Sequence, residues 1–283
     1  MKPVLFAVLG DVHHHLGLAV EGLTRLEDEL GRPIAQTFSV GDFGLFLTEP
    51  DWNYLTGPKK YRNPAESAGI TQAWQRWRWP LSMIAGNHEP FSRLRNWEPG
   101  YFSFKLEYTN AGELPHSIPG LRVLGLSGIY HPEETDFVSP VERQNRKLPR
   151  AATWLELVRL VERGAASRNR LTYYKESEVE LLKWAKRQPD LLLTHDWPCE
   201  PEGIRRSYPR RPEGELVSRL EPAFVCCGHH HRAAQFKLGR SSVVALNIIA
   251  TPEALPAHRI SPGWAAVFEW DGFTVSLLKT WPE

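Results

Sequence analysis

Short apolar runs that stop abruptly at polar residues recur along the chain. Val4 to Leu9 is such a run and ends at Gly10, which predicts a buried strand. The stretch from Leu16 to Leu30 carries leucines at helical spacing with charged residues between them, which predicts an amphipathic helix. The chain therefore begins with a strand, a loop and a helix.

The pattern of a buried strand followed by polar residues occurs four more times. The further runs are Thr37 to Val40, Leu81 to Ala85, Leu191 to Thr194 and Phe224 to Cys227. In open α/β sheets, ligand sites form in the crevice beyond the carboxyl ends of the strands. Five strand ends of this kind predict an α/β fold with one shared site.

The remaining segments suggest one unit rather than several. Residues 243–280 alternate in the manner of strands, with an Asp271-Gly272 turn between two of them. We find neither an internal repeat nor a low-complexity linker. We therefore predict a single domain over residues 1–283, with less regular insertions near 48–80 and 131–175.

Composition narrows the class of protein. With 42% hydrophobic and 24% charged residues in 283, the chain has the balance of an ordered globular protein. A net charge of +1 gives no overall field that would attract nucleic acid or an anionic membrane. The three cysteines form no disulfide framework, the first apolar run lacks the features of a signal peptide, and no apolar stretch is long enough to span a bilayer. We expect a cytoplasmic protein with no membrane contact.

The polar residues at the five strand ends share one chemistry. They are Asp11, His13, Asp42, Asn87, His88, His195, His229 and His231. Carboxylates, imidazoles and an amide oxygen suit Mn²⁺, Fe or Zn²⁺ without any thiolate. Each motif alone has an ordinary alternative, because Gly-Asp is often a turn, Asn87 is a plausible helix cap, and single histidines are usually structural.

Five such motifs in order are far more specific than one. The order Asp-x-His, Gly-Asp, Gly-Asn-His-Glu, His, Gly-His-x-His resembles that of the calcineurin-like metallophosphoesterases over most of the chain. The resemblance implies a four-layer α/β/β/α sandwich of two mixed sheets flanked by helices, and two divalent metal ions, with Mn²⁺ favoured and Fe or Zn²⁺ as alternatives. The implied ligands are Asp11, His13, Asp42 and His231 for one ion, and Asp42, Asn87, His195 and His229 for the other.

The resemblance also implies a mechanism for phosphoester hydrolysis. The two ions would hold a bridging hydroxide for in-line attack on phosphorus. His88 would act on the leaving-group oxygen as a general acid or as an electrostatic stabiliser, and either Asp11 or Glu89 would tune it. His14, His15 and His230 would be supporting or surface residues, although His14 has contact with substrate as its alternative.

Several segments resemble one branch of this superfamily, the RNA lariat debranching enzymes. They are GDF at 41–43, PKKYR at 58–62, GNHE at 86–89, GLSGIY at 125–130 and THDWP at 194–198. The chain departs from that branch in two places, because the branch has cysteine at the position of Asp11 and tends to lack the glycine of Gly228. The resemblance implies a phosphoester substrate, with RNA or DNA as candidates.

A segment rich in aromatic and basic residues leaves the nucleic-acid prediction open. Residues 48–80 contain four tryptophans together with Lys59, Lys60 and Arg62, which suits base stacking and phosphate contact. The alternative is that the tryptophans are core residues and that charge runs such as 143–150 are solvated. Two other functions also remain: a phosphomonoesterase or protein phosphatase on the same site, and a non-catalytic scaffold of the same fold.

Overall fold

A computed structural model describes residues 2–56, 62–95, 102, 105–134, 136, 151–199, 211–251, 257 and 259–283. The strands are β1 Val4–Leu9, β2 Ile34–Ser39, β3 Leu81–Met83, β4 Leu106–Tyr108, β5 Ala111–Glu113, β6 Val123–Leu126, β7 Leu191–Thr194, β8 Phe224–Cys227, β9 Ala234–Leu238, β10 Ser241–Ala245, β11 Ala265–Trp270 and β12 Val275–Trp281. The helices are α1 Leu16–Leu30, α2 Ser67–Arg76, α3 Phe91–Leu94, α4 Trp154–Glu162, α5 Glu176–Lys183 and α6 Pro212–Leu220. Short 3₁₀ helices span Glu49–Tyr54, Pro64–Glu66 and Arg168–Leu171.

The strands form two mixed sheets of six. The first sheet has the order β12-β11-β1-β2-β3-β4, in which β1 to β4 are parallel and β11 is antiparallel to β1. The second has the order β5-β6-β7-β8-β10-β9, with parallel strands in the middle and antiparallel β5 and β9 at the edges. Each sheet therefore has parallel strands whose carboxyl ends share one edge.

The two sheets pack face to face through alternate apolar side chains. Phe6, Val8 and Phe38 of the first sheet share a fully buried cluster with Leu191 and Cys226 of the second. Residues that alternate along a strand point to opposite faces, so the neighbours of these side chains face the outer layers. The apolar runs were continuous because both faces of each central strand are covered.

Helices cover the outer faces of both sheets. Leu23 of α1 and Leu157 of α4 pack in a core outside the first sheet. Val179 of α5 and Leu216 of α6 pack in another core outside the second sheet. This arrangement confirms the predicted α/β/β/α sandwich.

Helix α1 has the predicted bounds because of its apolar spacing and its last residue. Its buried positions, including Leu16, Leu23 and Leu26, recur every three to four residues. Gly31 follows with a φ of 60°, the left-handed conformation that commonly ends a helix. The helix thereby returns the chain to β2 beside β1.

The predicted strands β1, β7 and β8 have the bounds expected from the sequence. β2 starts earlier than predicted, at Ile34, and β3 ends earlier, at Met83. No helix in the described part of the chain is long and apolar enough to cross a membrane. The single domain with insertions near 48–80 and 131–175 remains a prediction.

Candidate metal centre

The loops that follow the parallel strands hold unusual backbone conformations. His13, His14, Asp42, His229 and His231 all have φ between 45° and 68°, although none is glycine. Left-handed φ values are uncommon for such residues and cost free energy. They account for five of the six non-glycine residues with positive φ in the described ranges, so backbone strain is concentrated at these strand ends.

One group of side chains comes from the loops after β1 and β8. The ligand atoms of Asp11, His13 and His231 lie within 4.8 Å of one another. His231 Nε2 is 3.2 Å from Asp11 Oδ2, and the Nε2 atoms of His13 and His231 are 3.0 Å apart. Since neighbouring imidazoles converge on one carboxylate, this group has the arrangement of a cation site.

A second group comes from the loops after β2, β3, β7 and β8. The ligand atoms of Asp42, His195 and His229 also lie within 4.8 Å of one another. Asn87 joins them, because its Oδ1 is 3.1 Å from His195 Nε2. His195 Nδ1 lies 2.9 Å from the carbonyl oxygen of Val40, which orients the ring so that Nε2 faces the group.

Asp42 connects the two groups. Its Oδ1 accepts hydrogen bonds from the backbone N–H groups of Asn87 and His88, at 2.6 and 2.7 Å. Its Oδ2 is buried and accepts no hydrogen bond within the described ranges, while Nε2 of His13 and of His195 lie 3.6 and 3.3 Å from it. A buried carboxylate oxygen of this kind needs a partner, and a divalent cation on either side would provide one. The donor set therefore fits two ions, with Asp42 between them.

Burial and the Asp42 carboxylate shift the pKa values of the histidines at the centre in opposite directions. Burial opposes protonation of His195, yet the adjacent Asp42 carboxylate outweighs it and raises the pKa of His195 to about 10. Burial lowers the pKa of His13 to about 3 and that of His229 to about 4. Neutral imidazoles are the form that binds metals, so His13 and His229 already have the required protonation state near neutral pH.

His88 lies beside the first group but contacts the main chain. Its ring centre is 5.2 Å from that of His13, and its Nδ1 is 2.9 Å from the carbonyl oxygen of Thr56. This nitrogen therefore faces a carbonyl group and not the carboxylate of Asp11 or Glu89, and the tuning of His88 by either residue stays a prediction. Asp11 is engaged with His231 and with the backbone N–H of His229. Thr56 lies against the loop after β3, because its hydroxyl donates to the carbonyl oxygen of Asn87.

Glu89 supports the loop that carries Asp42. Its carboxylate is fully buried and accepts the backbone N–H groups of Phe43 and Gly44, at 2.8 and 3.0 Å. Burial raises its pKa to about 8, and the nearby Asp42 carboxylate adds to the effect. The fourth residue of GNHE therefore fixes the turn after β2.

Two glycines leave the space that the carboxylates occupy. A Cβ at Gly86 would lie 2.1 Å from Asp42 Oδ1 and 2.6 Å from His195 Cε1. A Cβ at Gly228 would lie 2.2 Å from Asp11 Oδ1. No real Cβ approaches an atom so closely, so the glycines of GNHE and GHHH are required by packing.

The other three histidines of the triplets lie outside both groups. His14 Nε2 is 3.1 Å from Glu66 Oε2, and the ring of His15 packs against that of His14. His230 Nε2 is 3.1 Å from Asp196 Oδ1. Ligand roles for the predicted residues remain predictions.

Asp196 is a supporting residue that the sequence reasoning did not single out. Its Oδ1 lies 2.6 Å from Arg211 Nη1 and accepts the backbone N–H of Trp197 at 2.8 Å. Trp197 Nε1 donates to the carbonyl of Gly228 at 2.8 Å. Asp196 contacts His230 and Trp197 donates to Gly228, so these two residues hold the loop from Gly228 to His231 in place. In the sequence, THDWP at 194–198 was used only for its family resemblance. Its Asp-Trp pair was the signal that could have identified these two supporting residues.

The tryptophans of 48–80 are core residues. Trp52, Trp74, Trp77 and Trp79 are at most 6% exposed. Of the two alternatives for these tryptophans, the structure supports the core, because they fill the space between the first sheet and its helices. Lys59, Lys60 and the charge run at 143–150 lie outside the described residues.

Two curated proteins are similar to this chain in sequence. The lariat debranching enzyme of Entamoeba histolytica is 23% identical over 297 residues, which cover 98% of this chain and 78% of that enzyme. The lariat debranching enzyme of Saccharomyces cerevisiae is 25% identical over 199 residues, and the chain spans only 45% of its length. No family model matches the chain.

A solved structure shows the same fold. The protein TT1561 of Thermus thermophilus superimposes with a TM-score of 0.51 over 98% of both chains, at 14% sequence identity. Identity at this level supports the fold alone. The ordered motifs and the two curated relatives support the resemblance of the chain to the calcineurin-like metallophosphoesterase superfamily.

Proposed function

We propose that this protein is a metal-dependent phosphoesterase, and specifically a phosphodiesterase that acts on a nucleotide or nucleic acid. The observation that carries the proposal is the position of Asp42 between two groups of potential ligands, with Oδ2 buried and facing a histidine of each group. Two ions a few ångströms apart are a common arrangement for phosphoester hydrolysis. The relatives named as lariat debranching enzymes support a diester substrate.

We assign the ligands as the resemblance implies. Asp11, His13, Asp42 and His231 would hold one ion, and Asp42, Asn87, His195 and His229 the other. Oxygen and imidazole donors without thiolate favour Mn²⁺, with Fe and Zn²⁺ as alternatives. The ions, when bound, supply an acidified water and neutralise charge on the phosphoryl oxygens.

We assign to His88 the protonation of the leaving group. Because Nδ1 faces the carbonyl oxygen of Thr56, that nitrogen carries a proton, and Nε2 remains for the substrate. In its imidazolium form the ring has a second proton, on Nε2. Transfer of that proton to the leaving oxygen would return the ring to the neutral form.

A 2′,5′-phosphodiester in branched RNA is the substrate that the curated relatives suggest. Asp11 gives this chain an oxygen ligand where that branch has cysteine, so we propose two occupied metal positions.

One panel of substrates tests the proposal. The purified protein with Mn²⁺ is given bis-p-nitrophenyl phosphate, p-nitrophenyl phosphate, a 2′,5′-branched RNA and its linear 3′,5′ counterpart. We expect diester cleavage that is lost in Asp42→Asn, and preference for the branched RNA would identify the bond. Preference for the monoester would indicate a phosphomonoesterase. Failure of the metal-loaded protein to cleave any substrate would refute the enzyme and favour the scaffold.

A further inference from the structure

A basic surface lies at the end of the second sheet opposite to the metal centre. Arg122 directly precedes β6, and Glu221 lies three residues before β8, so both mark the amino ends of these parallel strands. The metal centre lies beyond the carboxyl ends of the same strands. A four-residue strand such as β7 separates the two ends by about 13 Å at the usual rise per residue.

Two adjoining pockets form this surface. One has a volume of about 280 Å³ and is lined mainly by the end of α5, the residues that follow it and the end of α6. The other has a volume of about 420 Å³ and is lined by Arg122 and the residues before β6. Both share Lys186 and Arg187, so they form one continuous basic groove.

The charge of the basic groove is largely unneutralised. Its two pockets are lined by five basic side chains and two acidic ones. Lys183 is paired with Glu180, and Arg122 lies 3.9 Å from Glu113. The other three basic residues are exposed and have no ion pair in the described part of the chain; they are Lys186, Arg187 and Arg219. Three exposed cations at one groove favour an anionic partner.

An exposed tryptophan lies beside the groove. Trp184, which follows α5, is 77% exposed, whereas the other nine described tryptophans are at most 9% exposed. Leu181 on the preceding turn is 61% exposed. Nothing in the fold of the second sheet requires an aromatic ring at this position, because α5 already packs through Val179 and Leu182.

We infer that the basic groove and Trp184 bind single-stranded nucleic acid at a distance from the metal centre. Phosphates would contact Lys186, Arg187 and Arg219, and a base would stack on the indole of Trp184. An acidic polypeptide offers the same charges but no planar bases for the indole. The groove would hold a part of the strand remote from the scissile phosphate, whichever phosphoester the centre cleaves.

Fluorescence anisotropy with a fluorescein-labelled single-stranded RNA tests the inference. The full chain carries Asp42→Asn in every sample, so the RNA is not cleaved. We expect Lys186→Glu with Arg187→Glu to weaken binding at least tenfold and to reduce the slope of log K against log salt by about 0.7 for each phosphate that is no longer neutralised. We expect Trp184→Ala to weaken binding by about five- to a hundredfold without changing that slope.

Matched controls separate this surface from general effects. Phe273→Ala removes another exposed aromatic ring, and Arg163→Glu reverses an exposed charge near α4, on the outer side of the first sheet. Both should bind RNA as the parent does. The groove variants, made without Asp42→Asn, should hydrolyse bis-p-nitrophenyl phosphate at the unaltered rate. Equal weakening of RNA binding in the control and groove variants, or equal competition by polyglutamate and oligonucleotide, would overturn the inference.

Discussion

Replacement of Gly86 by alanine should disable the metal centre while leaving the fold in place. The new Cβ would lie 2.1 Å from Asp42 Oδ1, about 1.3 Å short of the 3.4 Å at which ordinary van der Waals contact begins. Asp42 has little freedom to retreat, because its Oδ1 accepts two backbone N–H groups. Relief of this clash requires the carboxylate and residue 86 to move apart by about 1.3 Å, against those hydrogen bonds. This shift is several times the ±0.2 Å that metal–ligand distances tolerate.

Two magnitudes follow from this displacement. Overpacking of a buried site costs about 1–3 kcal/mol of unfolding free energy, so thermal unfolding should shift modestly. A misplacement of about 1 Å in a catalytic geometry lowers the rate by roughly a hundredfold. Bound Mn²⁺ is measured by elemental analysis after dialysis, and diester hydrolysis is measured in the same samples.

Gly69→Ala provides the matched control. Gly69 lies within α2, and a Cβ there meets no atom within 4 Å. Alanine at this position should raise stability by up to about 1 kcal/mol through its helix propensity and leave metal content and activity unchanged. If Gly86→Ala kept full metal content and the parental rate, the close packing of Gly86 against Asp42 would not govern the centre.

Three further perturbations test other residues. His88→Ala should keep its metal content but lose turnover by roughly a hundredfold or more, and an unchanged rate would show that His88 has been misassigned. Asp196→Asn should weaken Mn²⁺ binding by about tenfold in a calorimetric titration, because the loop of His230 loses its charged support; an unchanged affinity would argue against this role. Burial, reinforced by Asp196, raises the pKa of Glu213 from 4.5 to about 8, so the folded state keeps a proton that the unfolded state loses and stability falls as pH rises between these values. Glu213→Gln should therefore be more stable than the parent at pH 8, with little difference at pH 4, and equal unfolding midpoints at pH 8 would contradict the assignment.

The sequence was most informative where burial is complete. β1, β7 and β8 were found with their bounds because every position in them is apolar or nearly so. The predicted start of β2 was too late because the polar residue Gln36 is buried within the strand, where its amide nitrogen donates to the carbonyl oxygen of Thr37 and to Ser82 Oγ. A run of apolar residues is interrupted by a buried glutamine, so the pattern of apolar positions could not show where this strand begins.

The candidate site was predictable to the extent that side chains define it. The ordered motifs identified the residues of both groups. These residues lie close together because each of them follows a parallel strand. The contact of His88 with the carbonyl of Thr56 leaves no mark in the sequence, since every residue has a carbonyl. Likewise the sequence is the same whether Trp74 and Trp77 stack on nucleic-acid bases or fill a core. Only the packing of these side chains in the fold distinguishes the two alternatives.

The topology of the first sheet has a consequence for how the chain acquires its centre during synthesis. Asp11 and His231 are brought together from opposite ends of the chain, and β1 pairs with β11 on one side. A ribosome-bound chain that has not yet reached β11 exposes one edge of β1, with its unpaired N–H and C=O groups. Contacts of such large sequence separation form late, and an open edge of this kind promotes association between incomplete chains. We expect chains cut before Ala265 to aggregate and to bind no metal, so that metal uptake follows completion of the last strands.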